Sequence, residues 1–233
     1  MDKQELRERV WDDLEESGEA RFPFPPHGRI PNFAGAKAAA ERLAGLDVWQ
    51  DADVLKSNPD SPQLPVRRRA LREGTVVYVA VPRLRDEKCF LRLDPAELAD
   101  TDQAATIGGS AEMGVQVGPE EMEAVDLVVT GSVGVTREGV RIGKGEGYSD
   151  LEFAILREFD LVDDRTTTVT TVHERQFLDV SLEPDSHDVP MDAIVTPERV
   201  HSTPESVKPA GIDWDALTAD QLDEMPILDR LQE

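Results

Sequence analysis

The segment Arg141-Ile142-Gly143-Lys144-Gly145-Glu146-Gly147-Tyr148-Ser149-Asp150 is the densest concentration of potential chemistry in this sequence. Glycines on alternate positions let backbone N–H groups turn toward one point, and with no Cβ in the way an anion can approach closely. Arg141 and Lys144 add positive charge, and a helix starting after the loop adds the partial charge of its N-terminus. Such a loop can cradle phosphates, while Asp150 can cap the helix or bind Mg2+. The spacing is neither GxxxxGK[ST] nor GxGxxG, so neither of those two phosphate-binding folds is supported. On the glycines alone, a structural turn and a phosphate loop fit equally well. Glu146 is compatible with a phosphate only if its side chain faces solvent.

Few other residues compete for a chemical role. Lys3 and Arg7 lie one turn apart near the start, where the commonest arrangement is a solvated helix face with acidic partners. Cys89 is the single cysteine, and His27, His173, His187 and His201 show no paired spacing, so neither a disulfide nor a zinc site is expected. Phe33, Trp49 and Tyr148 could stack on a planar ring, and Tyr148 is the one inside the glycine loop.

The elements that must position these residues follow from hydrophobic spacing. Leu6, Val10, Trp11 and Leu14 mark one face of a first helix ending near Gly18, with Lys3 and Arg7 on another face. Prolines between Arg21 and Phe33 predict an extended crossing, and Ala34 to Gly45 predicts a helix closed by Gly45. Asn58 to Pro65 reads as a turn-rich linker, Val66 to Arg72 as a helix, Thr75 to Pro82 as a buried strand and Asp94 to Asp102 as a further helix. Val125 to Val135 is a β-branched run expected to form a strand covered on both faces. The glycine loop then leads into a helix over Leu151 to Leu161, and short strands are expected at Thr166–Val172, Gln176–Leu182 and Asp192–Thr196. Alternating helices and buried strands predict a three-layer α/β domain with a mostly parallel sheet over residues 1–201. An acidic tail, 202–233, is expected to dock on it through Trp214, Leu217, Leu222, Ile227 and Leu228.

Composition narrows the partners. The chain has 233 residues, with 25 Lys plus Arg against 48 Asp plus Glu, a net charge of -23, and 39% hydrophobic residues. That charge repels nucleic-acid phosphates and anionic membranes, so neither is an expected partner. Acidity spread along the whole chain, with 6 Lys against 19 Arg, suggests a salt-rich cytoplasm, that is, a halophilic protein. At 1 M salt the Debye length is about 3 Å, which removes the self-repulsion. The N-terminus is charged from its second residue and lacks a signal-like apolar run, and no segment approaches 18 uninterrupted apolar residues. A soluble cytoplasmic protein, monomeric or a small homo-oligomer, is expected.

Three stretches in order resemble the 5-formyltetrahydrofolate cyclo-ligase (methenyltetrahydrofolate synthetase) family. Its opening K-x-x-L-R is matched by Lys3, Leu6 and Arg7. Its loop R-[LI]-G-x-G-x-G-Y-x-D is matched by Arg141, Ile142, Gly143, Gly145, Gly147, Tyr148 and Asp150, and its late Gln and acidic residue by Gln176 and Asp188. RIPNFAGAKAAA, Arg29 to Ala40, and VDLVVTGSVGV, Val125 to Val135, are similar to the subgroup of methenyltetrahydrofolate synthetase domain-containing proteins. The resemblance implies a Rossmann-like fold of the CoA-transferase and glucosamine-phosphate-isomerase type. It implies ATP and Mg2+ as cofactors, a folate-type small molecule as partner, and conversion of 5-formyltetrahydrofolate to 5,10-methenyltetrahydrofolate with release of ADP and phosphate.

By the same resemblance, ATP-binding residues are Lys3, Arg7, Arg141, Ile142, Gly143, Lys144, Gly145, Gly147, Tyr148 and Ser149. Lys144, Gly145, Glu146, Gly147 and Tyr148 bind substrate, Arg141 and Lys144 are catalytic, and Asp150 and Asp188 bind the metal. Catalysis of this kind is mainly charge neutralisation and positioning. The sequence departs from the family where Ser149 stands in place of a second tyrosine, and where Asp60 is the only acidic residue between Lys56 and Pro65 to replace a pterin-reading Glu. These departures keep open a nucleotide-binding regulatory relative without cyclo-ligase activity. The short acidic tail gives no expectation of the RNA-recognition domain that often follows in the subgroup.

Overall fold

Segments rich in valine, leucine, isoleucine and threonine line up as parallel neighbours in the computed structural model, which describes residues 2–232. In chain order the elements that matter are α1 (Lys3–Glu16), α2 (Ala36–Leu43), β1 (Val54–Ser57), α3 (Leu64–Glu73), β2 (Val76–Ala80), β3 (Phe90–Leu93), α4 (Ile107–Met113) and β4 (Val115–Val117). They continue as β5 (Leu127–Thr130), β6 (Gly134–Thr136), β7 (Arg141–Ile142), α5 (Tyr148–Glu158), β8 (Thr167–Thr171), β9 (Phe177–Leu178), β10 (Ala193–Val195), β11 (Val200–Ser202), α6 (Ala219–Glu224) and α7 (Pro226–Gln232). The large sheet runs β11-β10-β8-β5-β1-β2-β3-β4. Its inner strands β10, β8, β5, β1 and β2 are parallel, and β11, β3 and β4 pair antiparallel at the two edges. The expected mostly parallel α/β sheet is present.

Side-chain alternation along the strands builds a core on each face. Val77 and Val79 of β2 pack with Ala40 and Leu43 of α2 and Val66, Ala70 and Leu71 of α3. Tyr78 and Ala80 join the opposite core, with Phe153, Ile155 and Leu156 of α5 and Ile227 and Leu228 of α7. Each Val, Leu, Ile or Phe side chain fully buried in this way contributes about 1.5–3 kcal/mol. Ile212 and Met225 belong to this second core as well. β11 straddles the 201/202 boundary expected from the sequence. Outside the layers, α1 lays Leu6, Val10, Trp11 and Leu14 against Ile142 and Leu178 of a small sheet ordered β9-β6-β7 and against Val133, which leads into it.

Several expected elements differ, each for a physical reason. The run from Val125 to Val135 is not one strand: β5 ends at Thr130 because Gly131 passes so close to its neighbours that a Cβ would lie 2.8 Å from both Gln63 Oε1 and Ile30 Cγ2. The chain then crosses to β6 in the small sheet. Gln176 does not start a strand over Gln176–Leu182; its Nε2 donates to the carbonyls of Ser132 and Val133 (2.9 and 3.1 Å), securing that crossing, and only Phe177–Leu178 pairs. Asp94 to Asp102 is not a helix, since the Asp100 side chain accepts from the amides of Asp102 and Gln103 and caps a new turn. Gly45 follows the C-cap Ala44 of α2 at C′ as expected, its N–H donating to Arg42 O (3.1 Å), but without the left-handed backbone common there. Asn58 to Pro65 is no linker but the loop at the carboxyl end of β1. The buried Arg67 holds it by donating to the carbonyls of Asn58, Pro59 (3.0 Å) and Asp60 (3.1 Å).

That loop lies at the topological switch of the sheet. β1 leads to β2 on one side, whereas β5, its other neighbour, leads on to β8 and β10. Connections diverging in this way leave a crevice at the carboxyl ends of β1 and β5, where open α/β sheets bind ligands. No helix among the described residues is long and apolar enough to cross a membrane.

Candidate functional site

Two adjoining cavities, of about 560 and 370 Å3, open at this crevice. Arg83, Arg141, Gly143, Glu146, Gly147 and Tyr148 line both, so the glycine loop forms their common wall. Lys3, Arg7, Asp150 and Asp188 line the larger one. Asn58, Asp60, Lys144, Ser149 and Glu152 line the smaller, with Pro82, Leu91 and Ile107 as apolar surface.

The glycine loop lies over two guanidinium groups. Arg7 Nε donates to Gly143 O (2.7 Å). A Cβ on Gly143 would come 2.9 Å from Arg141 Nη1, and one on Gly145 would meet Arg7 Cζ at 3.4 Å. Gly145 and Gly147 have φ of 105° and 72°, in the region where glycine alone is unstrained. Gly147, and not Asp150, is the N-cap of α5, because its left-handed backbone turns the chain into the helix two residues before Asp150 is reached. Asp150 is instead buried, bonded to Arg141 Nη2, and accepts from Val189 N (3.1 Å). Arg141 Nη1 donates to Gly131 O (3.1 Å), and its buried Nε has no partner among the described residues.

The contact from Val189 brings the main chain next to Asp188 up to Asp150. Asp188 Oδ2 accepts from Lys3 Nζ (2.6 Å) and from the Asp185 amide (2.8 Å), and Lys3 also reaches Asp185 Oδ2 at 2.7 Å. Partial burial opposes the Lys3 charge, but the two carboxylates outweigh it and raise the pKa of the ammonium, while the hydrogen bond from Lys3 lowers that of Asp185. Burial lowers the pKa of Arg7. Asp185, His187 and Asp188 each offer a ligand atom within 4.8 Å of the others.

The remaining residues expected from sequence are divided. The side chain of Ile142 is in the α1 core, so only its backbone belongs to the loop. Lys144 pairs with the exposed Glu146 (2.6 Å) and lines the smaller cavity alone. Ser149 Oγ donates to Asn58 Oδ1 (3.3 Å), and Tyr148 is half-buried against the second core.

Three contributors escaped the sequence reading. Asn58 joins the two strands of the switch: its Oδ1 accepts from Gly131 N (3.0 Å) and its Nδ2 donates to Glu152 Oε2 (3.1 Å). Lys56 of β1, 1% exposed, forms an ion pair with Glu152 of α5, 5% exposed. Asn-Pro-Asp directly after a strand ending in Lys-Ser was the available signal. Asp60, beside them, has no side-chain hydrogen bond among the described residues; burial raises its pKa, against the pull of Lys144.

Residues 1–197 match the sequence profile of the 5-formyltetrahydrofolate cyclo-ligase family. The methenyltetrahydrofolate synthase domain-containing protein of Bos taurus is 42% identical over 239 residues, which cover 100% of this chain and 62% of the relative. That of Homo sapiens is 38% identical over 237 residues, again 100% of this chain and 62% of the relative. The chain thus spans less than two thirds of the length of these relatives. The 5,10-methenyltetrahydrofolate synthetase of Aquifex aeolicus, solved by NMR, shares the fold with a TM-score of 0.56 at 20% identity, covering 89% of this chain and 96% of that one.

Proposed function

This chain belongs to the 5-formyltetrahydrofolate cyclo-ligase family, and we propose that it converts 5-formyltetrahydrofolate to 5,10-methenyltetrahydrofolate, using ATP and Mg2+ and releasing ADP and phosphate. The observation that carries this reading is the glycine loop laid over Arg7 and Arg141 at the junction of two cavities. Side chains on Gly143 and Gly145 would fill that cradle, and the unpartnered Arg141 Nε belongs to a donor set suited to anions. The residues present therefore fit a nucleotide.

ATP supplies the phosphoryl group that makes the formyl oxygen a leaving group. Lys3, Arg7 and the N–H groups of Gly143, Gly145 and Gly147 hold the phosphates in the larger cavity. Arg141 and Lys144 neutralise charge near the junction, where electrostatic positioning does most of the catalytic work. Asp150 and Asp188 each keep carboxylate lone pairs beyond those used by Arg141 and Lys3, and they would hold Mg2+ together with phosphate oxygens. In the smaller cavity Pro82, Leu91 and Ile107 offer apolar surface to a planar ring system, with Tyr148 at its edge. Asp60 accepts ring N–H groups there, in place of the family's Glu.

The test is turnover with Mg-ATP and 5-formyltetrahydrofolate in molar potassium chloride, the medium suggested by the net charge of -23. The near-ultraviolet band of the methenyl product should appear only with ATP and be lost in Asp150→Ala. A second reading, a nucleotide-binding relative without ligase activity, is favoured by Ser149, whose hydroxyl is engaged by Asn58 where the family places an aromatic ring. No turnover, with Mg-ATP still raising the melting temperature, would establish it.

Asp60 gives a separate expectation. Its folded pKa lies above the ordinary carboxylate value near 3.9. Above the folded pKa it is charged in both states and the fold bears the desolvation, whereas below the unfolded pKa it is neutral in both and the cost vanishes. Asp60→Asn should therefore raise the melting temperature at pH 7, and the gain should shrink as pH falls toward about 4. A melting series against pH checks this, and a variant less stable than wild type at pH 7 contradicts it.

A further inference from the structure

The turn Pro82–Leu84 at the end of β2 holds two consecutive non-glycine residues at positive φ, Arg83 at 58° and Leu84 at 53°. L-residues resist this conformation, and where it occurs the surroundings must enforce it. Leu84 is fully buried and anchors the turn, which presents Arg83 at the junction of the two cavities.

Arg83 combines an unpaired charge with a place in both cavities. Most lysines and arginines here contact a carboxylate, including Lys3, Arg141 and Lys144 within the site. Among arginines that do not, Arg7, Arg21, Arg42 and Arg67 donate to main-chain carbonyls, while Arg9, Arg29 and Arg68, which like Arg83 have no acceptor among the described residues, line neither cavity. Arg83 is exposed and has neither a carboxylate within 4.0 Å nor an acceptor among the described residues, although Glu146 and Glu224 line the same cavity. A guanidinium left unpaired at the junction of two ligand cavities, on a turn fixed in a strained shape, is available to an anion that spans them.

We propose that Arg83 contacts the terminal phosphoryl group of the nucleotide, from the β2 side of the crevice. This rests on the nucleotide reading above. The terminal phosphoryl group is the one that meets both ligands, and Arg83 is one of the few residues lining both cavities. Its fork of donors suits a phosphoryl group better than a single ammonium does.

Calorimetric titration of wild type, Arg83→Ala and Arg83→Lys with Mg-ATP and with Mg-ADP in molar potassium chloride tests this. A charge-assisted contact should make Arg83→Ala bind ATP about tenfold to a hundredfold more weakly, with ADP affinity changed less than about twofold and Arg83→Lys in between. Arg9→Ala, which removes an exposed arginine that lines neither cavity, should change neither affinity. Equal weakening for ATP and ADP, no weakening at all, or weakening seen only for folates bearing extra glutamate carboxylates would overturn the proposal and leave the nucleotide reading standing. Absence of nucleotide binding by the wild-type protein would overturn both.

Discussion

Lys56→Met is expected to destabilise the fold by about 3–5 kcal/mol, because it leaves the Glu152 carboxylate buried without its cation. Glu152 is 5% exposed and would retain only the 3.1 Å hydrogen bond from Asn58. In a chain of this length the loss corresponds to a fall in melting temperature on the order of 10 °C. Lys56→Met combined with Glu152→Leu removes both charges and should recover most of the loss, since a well-packed apolar pair replaces a buried ion pair at little cost. Chemical denaturation of both single variants and the double variant, at one fixed salt concentration, gives the coupling energy directly. A single variant within about 1 kcal/mol of wild type would show that water reaches the carboxylate. The pair also ties β1 to α5, and so fixes the wall formed by Asn58 and Asp60 against the helix that follows the glycine loop.

Arg141→Lys is expected to leave the protein folded and to lower kcat by about 100- to 1,000-fold, the scale seen when one preorganised donor at a site of developing charge is lost. The ammonium keeps the charge opposite Asp150 but cannot also donate to Gly131 O and underlie Gly143, as the planar guanidinium does. Mg-ATP should still raise the melting temperature of the variant, because Lys3, Arg7 and the loop amides remain. Turnover close to wild type would move Arg141 from catalysis to simple support of the loop.

The sequence carried the helices and the central parallel strands well where pattern and burial agree. Leu6, Val10, Trp11 and Leu14 do form the buried face of α1, and the β-branched run at Leu127–Thr130 is covered on both sides. It carried the small sheet poorly, because the ends of β5, β6 and β9 are set by tertiary contacts: a close approach at Gly131 and two carbonyls bonded by Gln176. Val54–Ser57 escaped as a strand because Lys56 breaks its apolar pattern, and that lysine is tolerated there only through Glu152, nearly a hundred residues away. For the site, the glycine loop was legible from spacing. Lys3 and Arg7 were not distinguishable from a solvated helix face except by family resemblance, and Arg83 left no local signature at all. Its significance depends on which carboxylates fail to reach it, and that is a property of the assembled surface.

Lys3 meets Asp185 and Asp188 across 182 and 185 residues of chain. The contact closes a loop of almost the whole chain, whose entropic cost rises only slowly with its length. The larger cavity is thus a seam between the beginning and the far end of the polypeptide. On the proposed function, an anion held between α1 and the glycine loop would fasten that seam, so that ligand binding and the docking of α1 are linked equilibria.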